Sequence, residues 1–187
     1  DPLVVRATIE SYSGIDTVLV GGQPVQLAND VDDSFSAEIH VYPGVYLVEG
    51  PQSRFLDASR GVLTALGPDE SAPWVEVWAE PNEEFEAEIL AQSMAAAQAC
   101  VTVPSNMNAE CPGIVQSTSL STMTITVPAM QLDYLSMTEF ETGWMTIGVR
   151  STSASPGSSL RTERVYIRGF VEWDEDGDPS IVDYEFW

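Results

Sequence analysis

The sequence contains no lysine, a single histidine, two cysteines and no long uninterrupted apolar run. Each shortage excludes something. With no lysine and only seven arginines against 29 acidic residues, the chain carries a formal net charge of −22. Binding to nucleic acid depends on cationic side chains that displace counterions from phosphates, so a polyanion of that kind is repelled and not bound. No segment approaches the roughly 18 consecutive apolar residues that a helix needs to cross a bilayer, so the sequence contains no membrane-spanning helix. One histidine leaves no His-rich metal set, and lysine depletion itself fits either a G+C-rich genome or selection for high salt.

What is present points to a folded protein. Hydrophobic residues make up 44% of the 187 positions, enough for a real core, which assigns the acidity to the surface and not to disorder. This length fits one domain, or two of fewer than about a hundred residues each. Both halves are acidic: residues 1–72 sum to −8 (three arginines against 11 acids) and residues 73–187 to −14 (four against 18). The chain starts at Asp1, with no charged start followed by an apolar run. It is therefore expected to be a mature or excised fragment whose targeting or anchoring segment lies outside it.

Cys100 and Cys111 are close in sequence, flanked by small, turn-forming residues, and lack CxxC spacing. An even, locally paired count of this kind predicts a disulfide closing a small loop, against the alternative of two reduced thiols. Such a bridge would contribute roughly 2–3 kcal/mol in the chain-entropy account. It would also place the chain in an oxidising, extracytoplasmic compartment, secreted or anchored at the cell surface. Zinc is not expected, because His40 is far away in sequence.

Hydrophobic periodicity divides the chain in two. Residues 1–80 read as seven short strands: 3–11, 17–20, 24–27, 34–42, 45–49, 62–66 and 74–79. Gly21-Gly22 and Pro43-Gly44 are expected to form tight hairpin turns. The clearest strand alternates Phe35, Ala37, Ile39 and Val41 with Ser36, Glu38, His40 and Tyr42. Strands of this length and spacing predict a small β-sandwich. From Pro81 the pattern changes. Asn82 is a candidate cap, Glu83, Glu84 and Glu86 suit the positive end of a helix dipole, and Phe85, Ile89, Leu90, Met94, Ala96 and Ala97 recur at spacings of three and four. A helix over 83–100 is predicted. Beyond Cys111 the period returns to two around residues 123–127, 145–149, 165–173 and 182–186, predicting one helix packed on a four-stranded antiparallel sheet. The fold class is thus mainly β with α+β: a sandwich over 1–80 and an α+β domain of cystatin-like or NTF2-like pattern over 81–187.

Two resemblances attach to these residues. The runs VLVGGQPVQL (18–27) and FSAEIHVYPGVYLVEG (35–50) resemble small extracytoplasmic β domains of the PEGA family and of TcaA-like membrane-anchored proteins. A helix ending in a cysteine, a short loop to Cys111-Pro112-Gly113, and four strands ending in a hairpin resemble the C-terminal domain of actinobacterial membrane-anchored proteins of uncharacterised function. The resemblance implies location and architecture, and it brings no catalytic residues and no cofactor.

The residues themselves support little chemistry. Asp174, Asp176 and Asp178, with Ser180 and Glu185, imitate the offsets of a calcium loop, but Pro179 stands where the sharp turn needs glycine and the flanks are strands, so a solvated hairpin turn is expected, with weak cation binding as the minor alternative. The glutamates at 76, 80, 83, 84, 86 and 88 read as a solvated face, and nothing fixes two of them across a cleft. His40 lies on a polar strand face, no serine carries a triad signature, and no glycine-rich phosphate loop follows a strand. One feature stands apart. Arg150, Arg161, Arg164 and Arg168 fall within 19 residues, near Trp144, Tyr166 and Phe170. Arginine and aromatic side chains gather at recognition surfaces, so Trp144, Arg150, Arg164, Tyr166, Arg168 and Phe170 form the candidate binding face. The competing reading pairs these arginines with local acids or buries the face. The expected function is a non-catalytic module of the cell envelope that binds or senses an unknown protein or an anionic cell-wall polymer. The alternative is a small-ligand carrier or enzyme with a pocket between helix and sheet. A space filled by Phe85, Ile89, Met123, Met145 and Val165 would count against that alternative.

Overall fold

The structure is a computed structural model that describes residues 4–11, 15–29, 34–51, 53–67, 71–102, 110–174 and 177–187. It is mainly β with one long α-helix and divides into two compact units, Asp1–Asn82 and Glu83–Trp187, where the sequence placed the division between 80 and 81.

The first unit contains β1 (Val5–Ser11), β2 (Thr17–Val20), β3 (Gln23–Gln26), β4 (Ala28–Asn29), β5 (Phe35–Val41), β6 (Gly44–Glu49), β7 (Leu56–Ala58), β8 (Arg60–Ala65), β9 (Trp74–Glu76) and β10 (Ala79–Pro81). Two four-stranded sheets, ordered β4-β5-β1-β9 and β3-β2-β6-β8, account for most of it, and β7 pairs with β10. Alternation decides which side chains enter the core. Val5, Ala7 and Ile9 of β1 are buried, as are Val18 and Val20 of β2 and Leu63 and Ala65 of β8, and the residues between them face outward. β2 and β3 form the expected hairpin, with Gly21 and Gly22 at φ of 56° and 80°, a left-handed pair that glycine adopts without steric cost.

The Pro43–Gly44 expectation is corrected. β5 and β6 do not pair, because both edges of β5 are taken by β1 and β4 and both edges of β6 by β2 and β8. Pro43 therefore carries the chain from one sheet to the other. The Tyr46 hydroxyl donates to the Tyr42 carbonyl across that corner, at 2.9 Å.

The second unit opens with α1 (Glu83–Cys100). Its buried side chains are Phe85, Ile89, Ser93, Ala97 and Cys100, one stripe at helical spacing. Ser93 belongs to that stripe because its hydroxyl donates to the Ile89 carbonyl at 2.8 Å. Asn82, the expected cap, donates its side-chain amide to the Arg54 carbonyl. The Cys100–Cys111 disulfide is present, with both cysteines buried, and a short 3-10 turn follows at Gly113–Val115.

Among the described residues, seven strands follow: β11 (Leu120–Val127), β12 (Leu132–Leu135), β13 (Glu139–Thr142), β14 (Met145–Ser151), β15 (Arg161–Val165), β16 (Ile167–Trp173) and β17 (Pro179–Phe186). They form a three-stranded sheet, β11-β14-β15, and a four-stranded sheet, β12-β13-β16-β17. The segments 120–135, 139–151, 161–173 and 179–186 run antiparallel in order, but three of them are divided at a bend. Two sheets of seven strands thus replace the four strands expected. The bends satisfy their own backbone groups: Ile167 N–H donates to Thr142 Oγ1 at 2.9 Å, and Gly143 N–H to the Gln131 carbonyl at 2.9 Å. α1 lies against β17, β11, β12 and β13. Gln92 fastens it to the sheet. Its Nε2 donates to the Pro179 carbonyl at 2.8 Å while its Oε1 accepts Ile181 N–H at 2.9 Å, so one side-chain amide imitates a strand neighbour along β17.

Candidate functional site

The bends in the second unit set the geometry of one sheet face. In β16, Ile167, Gly169 and Val171 are buried while Arg168, Phe170 and Glu172 point outward, and the same parity carries Arg164 and Tyr166 to the outside. Trp144 sits at the neighbouring bend beside Tyr166, with their rings edge to face at 4.9 Å between centroids and 77° between planes. The Arg164 guanidinium lies over the Trp144 ring, 4.8 Å from its centroid. A cation on an indole face at an exposed site is worth about 0.5–1 kcal/mol, which biases both side chains toward this arrangement. Trp144 nevertheless remains 48% exposed, so the pair presents itself to solvent and is not consumed by the core.

Tyr166 exchanges both backbone hydrogen bonds with Trp187, each 3.0 Å, which adds Trp187 to the row. Tyr134 of β12 stands opposite Glu141, itself opposite Arg168, and is also exposed. Tyr134, Trp144, Tyr166, Phe170 and Trp187 therefore share this face with Arg164 and Arg168. Of the residues proposed from sequence, five are brought together here: Trp144, Arg164, Tyr166, Arg168 and Phe170. Arg150 is not among them. Between it and Trp144 the face is covered at Gly148, where an added Cβ would meet the Leu160 side chain at 2.8 Å, and Arg150 itself is half-buried.

The charge on the face is mixed. Arg168 pairs with Glu139 at 3.8 Å and stands opposite Glu141 and Glu185 on its two neighbouring strands. A groove of about 240 Å³ runs beside it, lined by Glu139, Arg168, Gly169, Phe170, Asp183, Glu185 and Trp187. Its shape comes from a β-bulge. Between the pairs Arg168↔Glu185 and Phe170↔Val182, β17 has two residues where β16 has only Gly169. Asp183 takes the left-handed conformation there, with φ of 44°. Gly169 is required, because a Cβ at that position would lie 2.7 Å from that of Tyr184. A second groove, of about 490 Å³, continues past the disulfide and is lined by Glu110, Cys111, Asp183, Tyr184, Glu185 and Phe186. Burial, reinforced by the Glu110 carboxylate, pushes the Tyr184 phenol above its ordinary pKa.

The other candidates are placed as follows. Asp174 accepts Asp178 N–H on its carboxylate at 2.9 Å and closes the β16–β17 turn, where Gly177 has φ of 80°; Asp176 lies outside the described residues. Among the described residues, no group of three or more His, Cys, Asp or Glu side chains could hold a metal ion. His40 is exposed on β5 opposite Arg6, whose own partner is Glu38. Phe85, Ile89, Met123, Met145 and Val165 are all buried. No described helix is long and apolar enough to cross a membrane.

Sequence reasoning missed Tyr134 and Trp187. A signal for Trp187 was available, because it shares the strand parity of Asp183 and Glu185, and a large aromatic among charged residues points outward. Tyr134 had none, since β12 has only four residues and its pairing with β13 shifts register. No protein-family model matches the chain, and no curated protein matches it.

Proposed function

We propose that the chain is a non-catalytic, extracytoplasmic cell-envelope module that docks a protein partner through the outer face formed at the β13–β14 and β15–β16 bends and along β16 and β17. One observation carries this reading: Arg164 stacked on Trp144, Trp144 against Tyr166, and all three exposed in part to solvent. Tryptophan, tyrosine and arginine are the residues that dominate binding energy at interfaces, and here they already touch one another in the free chain. The Cys100–Cys111 disulfide supports an oxidising compartment. The architecture we assign is a small β-sandwich followed by an α+β unit of NTF2-like or cystatin-like pattern, as the resemblance to envelope proteins implies. The carrier or enzyme alternative needs an open pocket between α1 and the sheet, and the burial of Phe85, Ile89, Met123, Met145 and Val165 favours the non-catalytic reading over it.

An anionic wall polymer is the weaker partner. Arg168 already answers Glu139, and the carboxylates around it oppose a polyanion. The test is to incubate the chain separately with detergent-solubilised envelope proteins and with purified wall polymer, using the wild type and a Trp144→Ala/Tyr166→Ala variant. We expect binding in the protein arm, lost in the variant without a change in far-UV circular dichroism. Binding that is equal in the wild type and the variant would contradict the proposal.

A further inference from the structure

We infer that the docked partner is a basic protein segment, and that one of its lysine or arginine side chains seats between Phe170 and Trp187 against the Asp183 and Glu185 carboxylates. This inference rests on the docking role proposed above and assigns the chemistry of the occupant. The groove of about 240 Å³ has two aromatic walls, three carboxylates (Glu139, Asp183 and Glu185) and one guanidinium, Arg168, which is paired with Glu139. Its surplus charge is negative. Phe170 is 50% and Trp187 61% exposed, so their rings are open to a ligand. An aromatic face attracts a cation, and the attraction grows as solvent is excluded. The same face contains an internal example of this contact in Arg164 over Trp144. The β17 bulge holds Asp183 in the left-handed conformation at the groove and leaves Glu185 opposite Arg168 in the strand register, so carboxylates line it on either side of Tyr184. At longer range, a chain of net charge −22 with no lysine steers basic partners toward itself and repels acidic ones. The arginines that first marked the face thus belong to its frame, and the positive charge it recognises comes from the partner.

The experiment titrates the intact chain with an acetylated, amidated tetra-lysine peptide at about 150 mM salt, where surface charges more than about 8 Å apart are largely screened. Backbone amide shifts and affinity are read together, with tetra-glutamate and poly(glycerol phosphate) as parallel probes. We expect the shifts to cluster at Glu139, Arg168, Phe170, Glu185 and Trp187. Affinity should fall about tenfold in Phe170→Ala/Trp187→Ala and in Asp183→Asn/Glu185→Gln, and by less than twofold in the control Glu83→Gln/Glu86→Gln at the start of α1. Equal losses in the control and groove variants, shifts spread over the whole acidic surface, or preferential binding of either anionic probe would overturn the inference. If it fails while Trp144→Ala/Tyr166→Ala still abolishes capture of an envelope protein, the docking role survives and only the cationic occupant is wrong. If both fail, the docking role falls too.

Discussion

The guanidinium of Arg164 rests on the indole of Trp144, 4.8 Å from the ring centroid, with the next residue of β15, Val165, buried on the opposite side. A lysine at 164 keeps the charge but loses the planar stacking surface. We expect Arg164→Lys to weaken partner binding by several-fold and to change the near-UV circular dichroism of Trp144, while the melting temperature stays within about 2 °C, as for most exposed substitutions. A large fall in melting temperature would show that the pair serves the fold instead.

Reduction should destabilise the second unit. The Cys100–Cys111 bridge closes a loop with a sequence separation of 11 between the end of α1 and the turn at Gly113–Val115. A loop of that size corresponds to about 2–3 kcal/mol in the chain-entropy account. Thermal melts with and without reductant check this, and superimposable curves would remove the bridge from the stability argument.

Gln92 ties α1 to β17. Replacing it with leucine leaves the Pro179 carbonyl and the Ile181 amide without their side-chain partner, which should cost about 1–3 kcal/mol. Denaturant unfolding monitored at Trp173 is a suitable measurement, since that indole lies against Phe85 at the base of the helix, with ring centroids 4.9 Å apart.

Gly169→Ala should be more damaging than a surface glycine substitution. The added methyl would meet Tyr184 at 2.7 Å and Phe140 at 3.0 Å, so either the β17 bulge or the buried phenylalanine must move, at about 1–3 kcal/mol. Amide shifts of Asp183 and Glu185 report whether the bulge, and with it the groove, is lost.

Alkaline pH should weaken the fold through Tyr184. Its phenol is raised in the folded state, by burial first and then by Glu110. Above the ordinary tyrosine value of about 10, the unfolded chain releases this proton while the folded chain retains it. Stability from this group is therefore complete below that pH and is lost as pH rises through the folded value. Tyr184→Phe should flatten the alkaline limb of a stability-against-pH curve, and an unchanged limb would assign the loss to other groups.

Particular elements show how much of this was legible in the sequence. The α1 bounds followed from the glutamate-rich start and the cysteine at the end, both local signals. Ser93 entered the buried stripe unannounced, because a hydroxyl that bonds to its own helix behaves as a small core residue. Pro43-Gly44 looked like a hairpin because turn chemistry is the same whether a chain reverses within one sheet or passes between two; which partners occupy the strand edges is a tertiary fact. The bend at Tyr166 was invisible for a related reason, since alternation with a period of two continues through it. The candidate face was legible as aromatics and arginines sharing the outward parity. Its acidic surroundings were not, because the strand register that brings Glu139, Glu141, Asp183 and Glu185 to it is a tertiary fact.

The most direct test of the docking face compares the wild type with Trp144→Ala/Tyr166→Ala for equilibrium binding to a purified envelope-protein partner, with melting temperature measured on the same samples. We expect a loss of affinity greater than about tenfold with the melt nearly unchanged, as when interface anchors are truncated. Undiminished affinity with both aromatics removed would contradict the docking role.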